Sequence, residues 1–231
     1  LFCVPIVISV LKIVLPLVLR KLLNVAGLGY LVYVIFSVFG RVTNGETLSW
    51  RLDSVEMLQI DTLALFSLIF IQVMGLVILV FSLKGLDEGV QKPFMVLYPL
   101  TVAVSSGTVM AVQAIPFMIF WGISGIMLYL FGLLGREKSS PDTARKTLLL
   151  VGGCDALLIL GFVIIHTLGF SGGWELWDKG IVIDSSLTRI AFFSLIIAAF
   201  TKAGVFPFHT WMPDYSRDTE VESAACLPGA L

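Results

Sequence analysis

Apolar runs of roughly twenty residues follow one another along nearly the whole chain, and that pattern leaves few folds open. About 20 mostly apolar residues cross the roughly 30 Å of a bilayer's hydrocarbon. Lipid offers backbone N–H and C=O groups no partners, so each crossing is expected as a helix. The polar breaks place the expected spans at about 1–19, 22–39, 58–83, 93–112, 115–134, 147–168 and 186–205, with the start of an eighth from 224. The fold class expected is an all-α polytopic membrane protein of about seven transmembrane helices plus the start of an eighth, with a broken seventh helix. Residues 41–56 alternate polar and apolar side chains around Thr47-Leu48-Ser49-Trp50-Arg51-Leu52, the pattern of a short hairpin between spans two and three. Two parts are expected, a three-span segment over 1–92 and a repeat over 93–231.

Charge agrees with lipid as the solvent. Only 13% of residues are charged and 58% are hydrophobic, with a mean hydropathy of +0.98; soluble domains carry about 25% charged residues. The net charge is −1 and no basic run stands out, which excludes a nucleic-acid surface. Cys3, Cys154 and Cys226 are far apart in or beside apolar runs and read as small buried residues, with neither metal spacing nor a disulfide framework. No charged segment or cleavage site precedes the first run, so no signal peptide is expected. Lys and Arg set the orientation. One side collects Arg20, Lys21, Lys84, Lys92, Arg136, Lys138, Arg145, Lys146 and Arg217, and the other Arg41, Arg51, Lys179 and Arg189. The richer side is expected in the cytoplasm, with the N-terminus outside. Trp174, Trp177 and Trp211 lie beside span ends, where amphipathic rings favour the interface.

Ionisable groups inside spans are costly and mark functional sites. Lys202 is the sharpest, between Ile196-Ile197-Ala198-Ala199-Phe200-Thr201 and Ala203-Gly204-Val205-Phe206-Pro207. Its structural reading is an amine that snorkels to the interface. Its functional reading rests on Gly204 and Pro207. Both weaken the helix just beyond the amine, and Pro207 is expected to free a carbonyl one turn earlier. Water and protons can enter such a loosened helix. Asp155, expected about two turns in from the cytoplasmic end of span six, reads either as a carboxylate bonded to a neighbouring helix or as a group tuning a proton path. His166, near the outer end of span six, reads as a hydrogen-bonded interface residue ahead of a member of a proton relay. Lys12 is expected to snorkel, and Asp61 to cap span three. Gly122, Ser124 and Gly125 in span five, and Ser105-Ser106-Gly107-Thr108 in span four, read as close-packing signals.

The stretch Phe200-Thr201-Lys202-Ala203-Gly204-Val205-Phe206-Pro207-Phe208-His209-Thr210-Trp211-Met212-Pro213-Asp214 resembles the signature of Mrp-type antiporter-like membrane subunits. Such subunits occur in complex I, in Mrp sodium/proton antiporters, and in membrane-bound hydrogenases and sulfane reductases. Ile60-Asp61, Trp121 and Asp155 add further matches, and the ending Ala224 to Leu231 favours the hydrogenase-type branch. The resemblance implies an ion path through the broken seventh span, where Lys202 matches the family's Lys and His209 lies just past the break. It also implies a Glu after the Trp of span five. That position holds Gly122 here, so the usual carboxylate partner is missing. The family carries two inverted five-helix repeats; this chain holds the first, as a half-length subunit or as part of a longer one.

The function expected is therefore that of an antiporter-like membrane subunit of a multi-subunit redox-driven respiratory complex, contributing to proton and/or sodium ion translocation. Its expected partners are other membrane subunits, the lipid bilayer of the cell membrane, and the ions. No catalytic chemistry of its own, no cofactor and no metal is expected. The alternative, motivated by Gly122, is a degenerate subunit with a scaffolding role.

Overall fold

The computed structural model describes residues 3–11, 15–169, 176 and 183–230. Lys12, Trp174, Trp177, Lys179 and the side chain of Cys3 lie outside the described residues. Nine helices and one hairpin are described: α1 (Cys3–Leu11), α2 (Leu17–Thr43), β1 (Leu48–Leu52), β2 (Val55–Ile60), α3 (Thr62–Gly85), α4 (Glu88–Met110), α5 (Ala114–Gly132), α6 (Ser140–Thr167), α7 (Ser186–Lys202), α8 (Trp211–Asp218) and α9 (Val221–Ala230). Five of them, α2 to α6, are long and apolar enough to cross a membrane. The described α1 has 9 residues and α7 has 17.

The first two expected spans are redrawn. The break falls at Pro16, which precedes α2 with extended backbone, and not at Arg20-Lys21. Those two basic residues sit in the first turns of α2, and their side chains find carbonyls. Arg20 Nε donates to Leu15 O at 2.7 Å, and Lys21 Nζ donates to Leu83 O at 3.2 Å, in the last turn of α3. Cations favour helix C-termini, where carbonyls lack partners.

The hairpin lies where the alternation placed it. β1 and β2 pair antiparallel from Leu48↔Ile60 to Leu52↔Val55, with Asp53 at φ 58° in the turn and Arg51 paired with Glu56 across the strands. Val112 N donates to Met57 O at 3.1 Å, tying the hairpin to the short α4–α5 connection. Asp61 caps α3 as expected, its Oδ1 accepting from Ala64 N at 2.7 Å.

Helix α4 forms the centre. It packs against α1, α2, α3, α5 and α9, and buries Phe94, Met95, Tyr98 and Val102 completely. It starts at Glu88, earlier than expected, and runs through Pro93 and Pro99 without breaking. Pro99 cannot donate to the carbonyl of Met95, four residues back. Asn24 of α2 fills the gap, its Nδ2 donating to Met95 O at 3.0 Å. An unpaired carbonyl at this depth would be costly, so the repair lets the helix continue.

The second half stacks α6 between α5 and α7, with α8 against the N-terminal part of α6. Outward faces carry large apolar side chains such as Tyr33, Phe66, Phe70 and Leu149. Lipid suits such a surface. Cys154 and Cys226 are free and buried, in agreement with the sequence reading.

Candidate functional site

The site begins with how α7 ends. Ser185 and Thr188 form a capping box at its start. At its finish, Gly204 takes the left-handed conformation, φ 63°. Val205 N then donates to Phe200 O at 2.9 Å and Gly204 N to Thr201 O at 3.2 Å. Those two bonds are the glycine-terminated helix stop known as a Schellman motif. The helix thus ends at Lys202, one turn before Pro207, so the stop belongs to Gly204 and Pro207 frees no helical carbonyl. A Cβ on Gly204 would lie 2.3 Å from Met212 Cε, so the chain also folds back tightly here. Trp211, the first residue of α8 and fully buried, donates Nε1–H to Thr201 O at 2.8 Å. The seventh helix is therefore broken, and its last carbonyls are satisfied from across the break.

Lys202 turns its amine toward α5. Nζ donates to Trp121 O at 2.6 Å and to Ser124 Oγ, and it stands over the Trp121 ring, 4.2 Å from the centroid. A cation over an indole face is attracted by the ring quadrupole. The same indole donates Nε1–H to Asp155 Oδ1 of α6 at 2.8 Å. Trp121 therefore joins the amine on one side to the carboxylate on the other. Asp155 lies 15 residues into α6, about four turns rather than two, because α6 begins at Ser140.

Gly122 lies on the face of α5 that looks at this carboxylate. A Cβ there would meet Asp155 Oδ2 at 3.9 Å, as would one at Gly125. The group missing from α5 thus has a counterpart on α6, facing the position where it is missing.

Other candidates separate from the site. His209 lies in the loop after the break, its ring beside Phe206 and its Nδ1 buried without a hydrogen-bond partner. It makes none of the contacts described for Lys202. His166 lies in the last turn of α6. Among the described residues, no group of three or more His, Cys, Asp or Glu side chains is placed to hold a metal ion.

The sequence presents Ser124 as a packing residue, and the structure makes it a direct partner of Lys202. It is buried, and its hydroxyl also donates to Trp121 O at 2.7 Å. The signal for this is its spacing: three residues after Trp121, it lies on the same helix face.

A second polar cluster clamps α8 onto the start of α6. Thr143 Oγ1 donates to Asp218 Oδ2 at 2.5 Å, Ser140 Oγ donates to Asp218 O at 2.7 Å, and Arg217 Nε donates to Asp218 Oδ1 at 2.7 Å. The Arg217 guanidinium, helped by the Thr143 hydroxyl, holds the Asp218 carboxyl far below the usual carboxylate range. Lys146 pairs with Asp214 at 2.6 Å beside it.

With this geometry in place, the similarity of part of the chain to known proteins can be stated. Residues 111–224 match the family described as NADH:quinone oxidoreductase/Mrp antiporter, transmembrane part. The chain is 29% identical over 180 residues to NAD(P)H-quinone oxidoreductase subunit 5, chloroplastic, of Poa pratensis, covering 72% of this chain and 26% of that protein. It is 28% identical over 162 residues to a Na(+)/H(+) antiporter subunit of Alkalihalophilus pseudofirmus, covering 67% of this chain and 20% of that one. Its fold is similar to a chain in the membrane-bound sulfane sulfur reductase, an archaeal respiratory membrane complex (TM-score 0.83, 17% identity, 96% of this chain and 48% of that one). It is equally similar to a chain in the Mrp complex from Dietzia sp. (TM-score 0.84, 16% identity, 98% and 44%). The chain spans about a quarter of the length of these curated relatives and about half of the solved chains.

Proposed function

We propose, from the antiporter family model that residues 111–224 match, that this chain takes part in proton and/or sodium ion translocation as one membrane subunit of a larger redox-driven assembly. The observation that carries the reading is the placing of Lys202. Its amine lies at the broken end of α7, bonded to α5 and linked to Asp155 through Trp121. A membrane-embedded amine held this way, at the end of a broken helix and among polar partners, can load and release a charge.

Asp155 serves in this reading as the negative partner of Lys202. It supports that role that the carboxylate faces Gly122, the position the family's Glu would hold. Trp121 keeps amine and carboxylate coupled without letting them collapse into a tight ion pair. A pair that locked would hold its ion, whereas a spaced pair can exchange it. His209 is proposed as the next titratable group beyond the break. The scaffolding reading rests on an absent partner at Gly122, and the carboxylate of Asp155 facing that position favours transport over it.

The proposed setting is a cell membrane, and the Lys and Arg distribution favours an N-terminus outside with α8 on the cytoplasmic side. The test is ion uptake by the purified whole assembly in liposomes. Lys202→Ala is expected to abolish the uptake that depends on this subunit, and Lys202→Arg to impair it. A Lys202→Ala assembly moving both ions at the parent rate would overturn the reading.

A further inference from the structure

We infer that Ser124 is a positioning residue that holds the Lys202 amine in both of its charge states, which makes the ion loaded at this site a proton. The inference rests on the proposed role of Lys202 and adds to it the chemistry of the exchange. An ammonium offers three donors and no acceptor, while a neutral amine has a lone pair that calls for a donor. The groups around Nζ divide on this point. The Trp121 carbonyl only accepts, and the Trp121 ring attracts only the cation. Asp155 Oδ1 is an acceptor already engaged by the indole N–H. The Ser124 hydroxyl alone among these groups carries a hydrogen that can turn to the amine.

The present arrangement is the charged state. Nζ donates to Ser124 Oγ, and Ser124 O–H donates to Trp121 O at 2.7 Å. In the neutral state, one proton has left Nζ for a water molecule reaching it through the break. Ser124 O–H then swings from the Trp121 carbonyl to the Nζ lone pair, and an N–H of the amine keeps that carbonyl satisfied. The hydroxyl retains its own hydrogen throughout, so one proton leaves Nζ and none is lost from Oγ. Ser124 is only 4% exposed, so its hydroxyl stays beside Nζ after water has carried the proton away. A sodium ion has no counterpart to this reversal, since it accepts no hydrogen bond.

The experiment uses the whole assembly in sodium-free liposomes, with a pH-sensitive dye reporting proton uptake across a range of pH, and size-exclusion chromatography reporting assembly. The parent is expected to take up protons without sodium. Ser124→Ala is expected to assemble and to slow uptake about tenfold, the scale of one lost hydrogen bond, with the pH of half-maximal rate displaced. Ser124→Thr, which keeps the hydroxyl, is expected to restore both rate and profile. Ser124→Gly serves as the hydroxyl-free variant should Ser124→Ala fail to assemble. Parent rate and profile in the hydroxyl-free variant, alongside a dead Lys202→Ala, overturn this inference alone. A Ser124→Thr assembly as slow as the hydroxyl-free variant overturns it too, as does uptake that requires sodium. Normal uptake by Lys202→Ala overturns the underlying role of Lys202 as well.

Discussion

Helix α4 carries two prolines within it and continues, while α7 carries none and is stopped by residues just beyond its end. α4 contains Pro93 and Pro99 and stays continuous over Glu88–Met110. α7 contains no proline and stops at Lys202, before Gly204 and Pro207 are reached. The difference lies in what happens to the orphaned carbonyls. In α4 a side chain from another helix, Asn24, takes the carbonyl that Pro99 cannot serve, and the helix continues through the core. In α7 the backbone reverses at Gly204, folding its own N–H groups onto the carbonyls of Phe200 and Thr201, with Trp211 added from outside. A proline therefore need not break a membrane helix when a neighbouring side chain serves the carbonyl it frees, whereas a left-handed glycine turns the backbone itself back and ends the helix. The comparison also shows why the break can host an ionisable group. α4 is buried among five neighbours, whereas α7 ends in a turn that leaves the amine of Lys202 free to reach across to α5.

The largest effect expected from breaking this contrast is at Gly204. Gly204→Val places a β-branched residue in the left-handed region, at about 1–2 kcal/mol, and drives its Cβ into Met212, at about 1–3 kcal/mol more. Thermal unfolding of the purified assembly should fall accordingly, and Met212→Ala in the same chain should recover the packing part and leave the backbone part. Full stability in Gly204→Val would mean that the stop is not set where the structure puts it.

The repair in α4 comes next. Asn24→Leu keeps the branching and heavy-atom count and removes the donor, leaving Met95 O unpaired in the core at about 1–3 kcal/mol. The loss should appear as faster hydrogen exchange around Pro99. An unchanged exchange pattern would mean that α4 spans its prolines without help from α2.

The smallest effect concerns pH at the clamp that keeps α8 against α6. The folded state holds the Asp218 carboxyl well below its unfolded value of about 3.9. Its stabilising contribution is then present above that unfolded value and is lost only as pH falls below it toward the depressed one. Exchange protection of the Thr219 amide, which donates to Tyr215 O, should hold steady from neutral pH down to about 4 and decline in stronger acid. A decline centred near neutral pH would assign the clamp to another group.

Much of this is legible in the residues, and the misses have a common cause. The apolar runs place α3, α5 and the hairpin, because length and alternation act locally. Asp61 is readable as a cap for the same reason. The boundary between the first two helices is not, because Arg20 and Lys21 look like a loop. Long basic side chains can begin a helix when carbonyls such as Leu15 O and Leu83 O lie within reach. Pro207 draws attention to a break that Gly204 makes. At the site, Lys202, Trp121 and Asp155 can each be singled out by charge or motif. That Ser124 holds the amine, and that Asp155 faces Gly122, are matters of which faces of α5, α6 and α7 meet. Spacing within one helix does not contain that information.

The central claim is that the amine of Lys202 sits where ions in water can reach it, at the end of a helix stopped from within. The direct measurement is the reactivity of Lys202→Cys in the membrane-embedded assembly toward a small, membrane-impermeant thiol reagent, with the buried Cys154 and Cys226 of the parent as background. Reaction within minutes, slowed when Gly204 is replaced, is the result expected. A thiol at position 202 that stays as unreactive as Cys154 and Cys226 would mean a dry, sealed side chain, and an ion path through Lys202 would be contradicted.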